Sequence, residues 1–178
     1  MTIKELIDKY GIEEATGEHA GNIYVRYGRE AQRDNAVQEI KAKKPEILAY
    51  FAQRREAAKQ AREEREAKIA AIEGLAELKA AYTDLIKWQR EFEASFESED
   101  GGGFGVRPKP QYDIGGMLAR YPQAAAYLKA EDEAHKSNYE LSEIGKRALE
   151  TVIAGDWEKA METMQAEIKA FTERHLWD

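Results

Sequence analysis

The hydrophobic positions of this chain follow three patterns in turn. The first occupies about fifty residues. Ile3, Leu6, Ile7 and Tyr10 recur at helical spacing. Thr2-Ile3-Lys4-Glu5 ahead of them is a capping box, in which the Thr2 hydroxyl accepts from the Glu5 amide and the Glu5 carboxylate reaches back to Thr2. Gly11 stands where a helix stop belongs. Residues 12–16 and 22–27 then form two short segments bounded by Gly17 and Gly21. In the second, Ile23, Val25 and Tyr27 alternate with Asn22, Tyr24 and Arg26, which is the period of a strand. The pair predicts a small hairpin that Gly28 ends. A helix over 30–43 follows, with Ala36, Val37 and Ile40 as its apolar face.

The second pattern runs over residues 44–97. Pro45 sits in the first turn of a new helix, and Ile47, Leu48, Tyr50 and Phe51 open it with an apolar patch. No further proline and only one glycine, Gly74, occur before Glu97. As one helix this stretch would reach about 80 Å. Residues 53–68 are almost all strong helix formers without a large apolar residue, and only alanines are available to face inward. From Ile69 the apolar stripe returns through Ile72, Leu75, Leu78, Tyr82, Leu85, Ile86, Trp88, Phe92 and Phe96, the spacing of a helix packed on others.

The third pattern is broken at its start. Residues 98–112 combine glycines and prolines in a way that forbids a regular element. Asp113 then caps a short helix over 114–121. Pro122 opens a long helix whose core positions include Ala125, Tyr127, Leu128, His135, Tyr139, Leu141, Ile144, Leu149 and Val152. Gly155 stops it and Asp156 caps a last helix with Trp157, Ala160, Met161, Met164, Ile168, Phe171 and Leu176 on its packing face. The predicted fold is mainly α. A helix–β-hairpin–helix module (1–52) is joined by a charged helical spacer (53–68) to a helical bundle (69–178) of three long helices and a short one.

Charge and composition narrow the function. Acidic residues outnumber basic ones by 34 to 27, so non-specific nucleic-acid binding is not the default expectation. The chain has no cysteine, which removes disulfides, thiol chemistry and thiolate zinc sites. The N-terminus lacks the apolar run of a signal peptide, and no stretch is long and apolar enough to span a membrane. The expectation is a soluble, cytoplasmic protein with no membrane contact.

The first fifty residues resemble the N-terminal docking domains of the TubC type found in multi-enzyme assembly lines. The likeness lies in Ile3-Lys4-Glu5-Leu6-Ile7, Tyr10-Gly11-Ile12, the glycine-bounded hairpin ending Ile23-Tyr24-Val25, and Ile40-Lys41-Ala42-Lys43-Lys44-Pro45-Glu46-Ile47-Leu48. It implies a small α/β module that dimerises and offers a strand edge to a partner's peptide. The chain as a whole resembles small acidic products of phages and mobile elements, and among them the anti-CRISPR proteins that bind Cas9. That resemblance implies a stoichiometric inhibitor of the Cas9–guide RNA complex.

Candidate sites follow from local charge. Glu91, Glu93, Glu97, Glu99 and Asp100 crowd the predicted end of the long helix, where the macrodipole disfavours negative charge, with Phe96 and Phe104 nearby. This is the predicted partner-binding surface. Lys41, Lys43, Lys44, Arg54, Arg55, Lys59 and Arg62 form the richest basic stretch and the candidate nucleic-acid contact, although interleaved acids also suit a solvated helix. Gly101-Gly102-Gly103-Phe104-Gly105-Val106-Arg107 lacks the Gly-Lys-Ser/Thr ending of a phosphate loop. Glu131 and His135, four apart, have no second ligand pair to make a metal site. No catalytic signature is present, so no cofactor, no metal and no enzymatic activity are expected. Three functions remain: an inhibitor that occupies Cas9, a docking or scaffold protein of a mobile-element complex, and a nucleic-acid-binding accessory protein. A homodimer is expected from the docking resemblance and from the gain a bare charged helix would draw from a partner helix.

Overall fold

The computed structural model describes residues 1–97 and 107–175. The chain is mainly α and divides into two units, residues 1–64 and 65–178. The boundary falls inside the charged stretch.

The first unit starts with α1 (Ile3–Tyr10), held by the capping box: Glu5 N–H donates to Thr2 Oγ1 at 3.2 Å, and Thr2 N–H to Glu5 Oε2 at 2.8 Å. Gly11 ends it in the left-handed region, φ +58°. β1 (Ile12–Glu14) and β2 (Ile23–Val25) pair antiparallel, with Ile12 opposite Val25 and Glu14 opposite Ile23. The expected helix over 30–43 is two helices, α2 (Gly28–Arg33) and α3 (Val37–Ala42). Asn35 at φ +55° breaks it, a conformation that Asn tolerates better than most residues. Beside the break the exposed Asp34 accepts through its carboxylate from Tyr10 Oη at 3.1 Å and pairs with Lys9 at 2.9 Å. These two partners, Lys9 first, hold the Asp34 carboxyl below its ordinary range. Leu6, Tyr10 and Ile47 are the largest side chains fully buried in this core, with Ile7, Ile12 and Ile40 around them.

α4 (Lys44–Ala70) follows. The alanines of its middle do not face inward: Ala57, Ala58 and Ala61 are exposed. The helix also does not run on to Glu97. It ends at Ala70, and α5 (Leu75–Glu97) starts after a turn. Gly74 makes the turn at φ +73°, and a Cβ there would sit 2.2 Å from the Tyr121 ring. Only glycine combines that backbone with so close an aromatic neighbour.

In the second unit, α6 (Ile114–Arg120) is capped by Asp113, whose carboxylate accepts from Gly116 N–H at 2.9 Å. The long helix expected from Pro122 is α7 (Pro122–Ala134) and α8 (Tyr139–Ile153). Between them the chain turns, and Asn138 caps α8 by accepting from Leu141 N–H at 3.1 Å. The turn carries His135 and Tyr139 out to solvent, Tyr139 to 78% exposure, so neither is a core residue. Gly155, at φ +104°, separates α8 from α9 (Trp157–His175). Among the described residues the bundle therefore holds four long helices, α5 and α7–α9, beside the short α6. Its core joins Ile72, Leu75 and Leu78 to Tyr127, Val152 and Ala160, and continues through Ala130, Ile144, Ala148 and Met164. Each fully buried aliphatic side chain contributes about 2 kcal/mol from its removal from water. Leu176, expected on the last packing face, lies outside the described residues.

Candidate functional site

Several of the basic residues singled out above as the candidate nucleic-acid contact are already engaged within the chain. Lys43 donates to Glu39 Oε1 at 3.0 Å and to the Met1 carbonyl at 2.8 Å. Arg55 pairs with Glu14, and Lys59 lies 3.9 Å from Glu63. Arg54 sits over the Tyr50 ring at 5.9 Å, and Arg62 is exposed on α4. Lys41 and Lys44 differ from these. Neither meets a carboxylate among the described residues; Lys44 donates to Asn22 Oδ1 at 2.7 Å, and Lys41 is exposed.

Both lysines line a recess of about 380 Å³ whose walls are Ile23, Val25, Ala31, Val37 and Ile40. The strand pairing explains what lies beside it. Ala15 N–H donates to the Asn22 carbonyl and Arg26 N–H to the Gly11 carbonyl, so Asn22, Tyr24 and Arg26 turn their backbone groups toward β1. Ile23 and Val25 then turn theirs to the outer edge. The sheet has two strands only among the described residues, and no described group bonds that edge. The site combines an open strand edge, an apolar recess and two positive charges. The signal for it was present in the sequence as Lys41 and Lys44, but their neighbours lie some twenty residues upstream.

The predicted acidic surface is organised differently. Glu91 accepts from Arg107 Nε at 3.1 Å, and Glu93 accepts from Gln89 at 2.8 Å. Glu91 and Glu93 are therefore already engaged within the chain. Phe96 and Glu97 end α5 with side chains outside the described set, and Glu99, Asp100, Phe104 and the glycine run 101–103 lie outside the described residues altogether. What sequence reasoning missed is Arg107. Its guanidinium pairs with Asp84 Oδ1 at 2.7 Å and donates to the Asp84 carbonyl at 3.1 Å, while its own carbonyl accepts from Trp88 Nε1 at 2.9 Å. Tyr112 Oη adds a hydrogen bond to Asp84 Oδ2 at 3.0 Å, and Trp88 stacks on Phe92 at 5.1 Å. These contacts strap residues 107–112 along α5.

Arg107, foremost, and Tyr112 hold the Asp84 carboxyl below its ordinary range against the opposing effect of burial. A carboxyl whose folded pKa is depressed stabilises the fold above its unfolded value, and the contribution is lost as pH falls through the folded one. The strap is thus fully held at neutral pH and loosens in acid. Arg107→Ala is expected to speed solvent exchange of the Trp88 indole N–H, read by NMR, and to leave the melting of the bundle nearly unchanged, because the pairs are exposed. Unchanged indole exchange would show that the strap does not depend on this side chain.

Glu131 and His135 do not converge on a site. Glu131 pairs with Lys79 at 2.9 Å, and His135 Nδ1 lies 2.6 Å from the Glu131 carbonyl at the end of α7. Among the described residues no group of three or more His, Asp or Glu is placed to hold a metal ion, and no helix is long and apolar enough to cross a membrane. Comparison with protein-family models, curated proteins and solved structures returns no match.

Proposed function

We propose that the protein acts by non-enzymatic protein binding, and that residues 1–64 dock a short, extended, acidic segment of a partner along the outer edge of β2. The observation that carries this reading is the apolar recess beside an unpaired strand edge, rimmed by two lysines that no described carboxylate neutralises. An added strand would be held by the outward backbone groups of Ile23 and Val25. Its alternate side chains would enter the recess, and its carboxylates would meet Lys41 and Lys44. The resemblance to docking domains supports the same reading, and a scaffold protein of a phage or mobile-element complex is the role it would suit.

A random peptide library selected on the full chain should enrich sequences that alternate apolar residues with Asp or Glu. The double variant Lys41→Glu/Lys44→Glu is expected to weaken the selected peptides at least about tenfold, because two attractive contacts become repulsive. Lys41 is exposed, Lys44 is half-buried, and neither belongs to the core, so the fold should be unchanged. Peptides that bind the double variant equally well would contradict the reading.

A second reading is favoured by the distribution of charge. Residues 65–178 hold 22 acidic and 15 basic residues, whereas residues 1–64 hold 12 of each. All the excess negative charge lies in the helical unit, which suits a basic nucleic-acid channel. Inhibition of the Cas9–guide RNA complex is this alternative. Undiminished DNA cleavage at excess protein would remove it.

A further inference from the structure

The bundle carries a second recess, of about 700 Å³, between α5, α6 and α7. Leu118, Ala125 and Leu128 line it, each only half-buried. Tyr82 and Ile86, one turn apart on α5, stand at the same place and are 37% and 49% exposed. A protruding apolar pair and an apolar hollow therefore lie side by side in one patch. That is the requirement for an isologous interface, in which a two-fold axis sets the projection of each copy into the hollow of the other.

The charges on the rim point the same way. The unit has a large excess of acid, yet this lining holds two lysines and two carboxylates and is neutral. Lys79 is internally satisfied, paired with Glu131 at 2.9 Å and lying over the Tyr127 ring at 4.7 Å. Lys129 has no carboxylate partner among the described residues. Asp132, one turn along α7, meets only Lys136 at 3.3 Å, on the exposed surface. A patch whose Lys129 has no described carboxylate partner and whose Asp132 lies exposed is complementary to itself. A strongly basic or acidic partner would find no matching charge here, whereas a second copy supplies Asp132 for Lys129 and Lys129 for Asp132. We infer that the α5–α6–α7 face of residues 65–178 is the surface through which two copies of this chain associate. The inference is independent of the peptide-docking site, which lies in the other unit.

Sedimentation velocity of the full chain over a range of concentrations tests it. The wild-type chain is expected to form a dimer. Ile86→Glu should weaken dimerisation by about a hundredfold by placing a charge in the apolar contact, and should leave the helical circular dichroism unchanged because Ile86 is exposed. Lys129→Asp should weaken it about tenfold through two repulsive contacts across the axis. The reversal Lys129→Asp/Asp132→Lys should restore most of the loss, which only a self-complementary pairing does. A chain that stays monomeric at every concentration would overturn the inference. So would a dimer indifferent to Ile86→Glu, or a charge reversal that gives no rescue.

Discussion

Gly145→Ala is expected to destabilise the helical unit by about 2 kcal/mol, although the same change in a free helix would gain about 1 kcal/mol. Gly145 lies buried in α8 where that helix crosses the end of α7. A Cβ at this position would meet Ala134 N at 2.2 Å and Glu133 C at 2.5 Å. These are backbone atoms, so no rotamer change relieves the contact, and the two helices must separate. Separation would also stretch the bond from Ser142 Oγ to the Ala134 carbonyl, now 2.7 Å, and open the packing of Ala130 against Ala148. Gly145→Leu should not fold in this unit. All three tryptophans, Trp88, Trp157 and Trp177, belong to residues 65–178. Tryptophan fluorescence, excited selectively over the tyrosines, therefore follows this unit during denaturation. An alanine variant as stable as the parent would show that the crossing is looser than the geometry states.

The complementary change is Leu6→Ala. Leu6 is completely buried, and the loss is expected to be about 3 kcal/mol, from transfer of the side chain and the cavity left behind. A unit of 64 residues has little stability to spare, so the variant should unfold largely at room temperature. The expected signature is a partial loss of helical circular dichroism with tryptophan fluorescence unchanged. A simultaneous change in both signals would contradict the division at residue 64. Together the two variants ask whether each unit keeps its own core, as the separate clusters around Tyr10 and around Leu78 indicate.

Much of this fold could be read from the chain, and the reasons differ by element. The Thr2–Glu5 box, Gly11, Pro45 and Asp113 are local signals whose geometry involves residues no more than four apart, and each appears where expected. The helix interruptions were harder. At Asn35 and Asn138 the local signals were present, a residue that tolerates the left-handed region and a preferred cap, but the apolar spacing was read across them. Gly74 was visible as a weak point, but its role depends on Tyr121, forty-seven positions later. The sites follow the same logic. Glu91 reads as a free acid until Arg107 is seen beside it, and Lys41 and Lys44 read as part of a basic run until Lys43, Arg55 and Lys59 are seen beside Glu39, Glu14 and Glu63. Charge runs describe composition; which charges remain unmatched is decided by contacts distant in sequence.

The docking reading depends on one strand edge, and the amides on that edge report it directly. A ¹⁵N-labelled full chain should be titrated with a library-selected acidic peptide while the backbone amides are followed by NMR. The account predicts the largest shifts at Ile23 and Val25, slowed hydrogen exchange of those two amides in the complex, and smaller shifts at Lys41 and Lys44. Peptide binding that leaves Ile23 and Val25 unmoved, with its shifts along α5 or α9 instead, would contradict it.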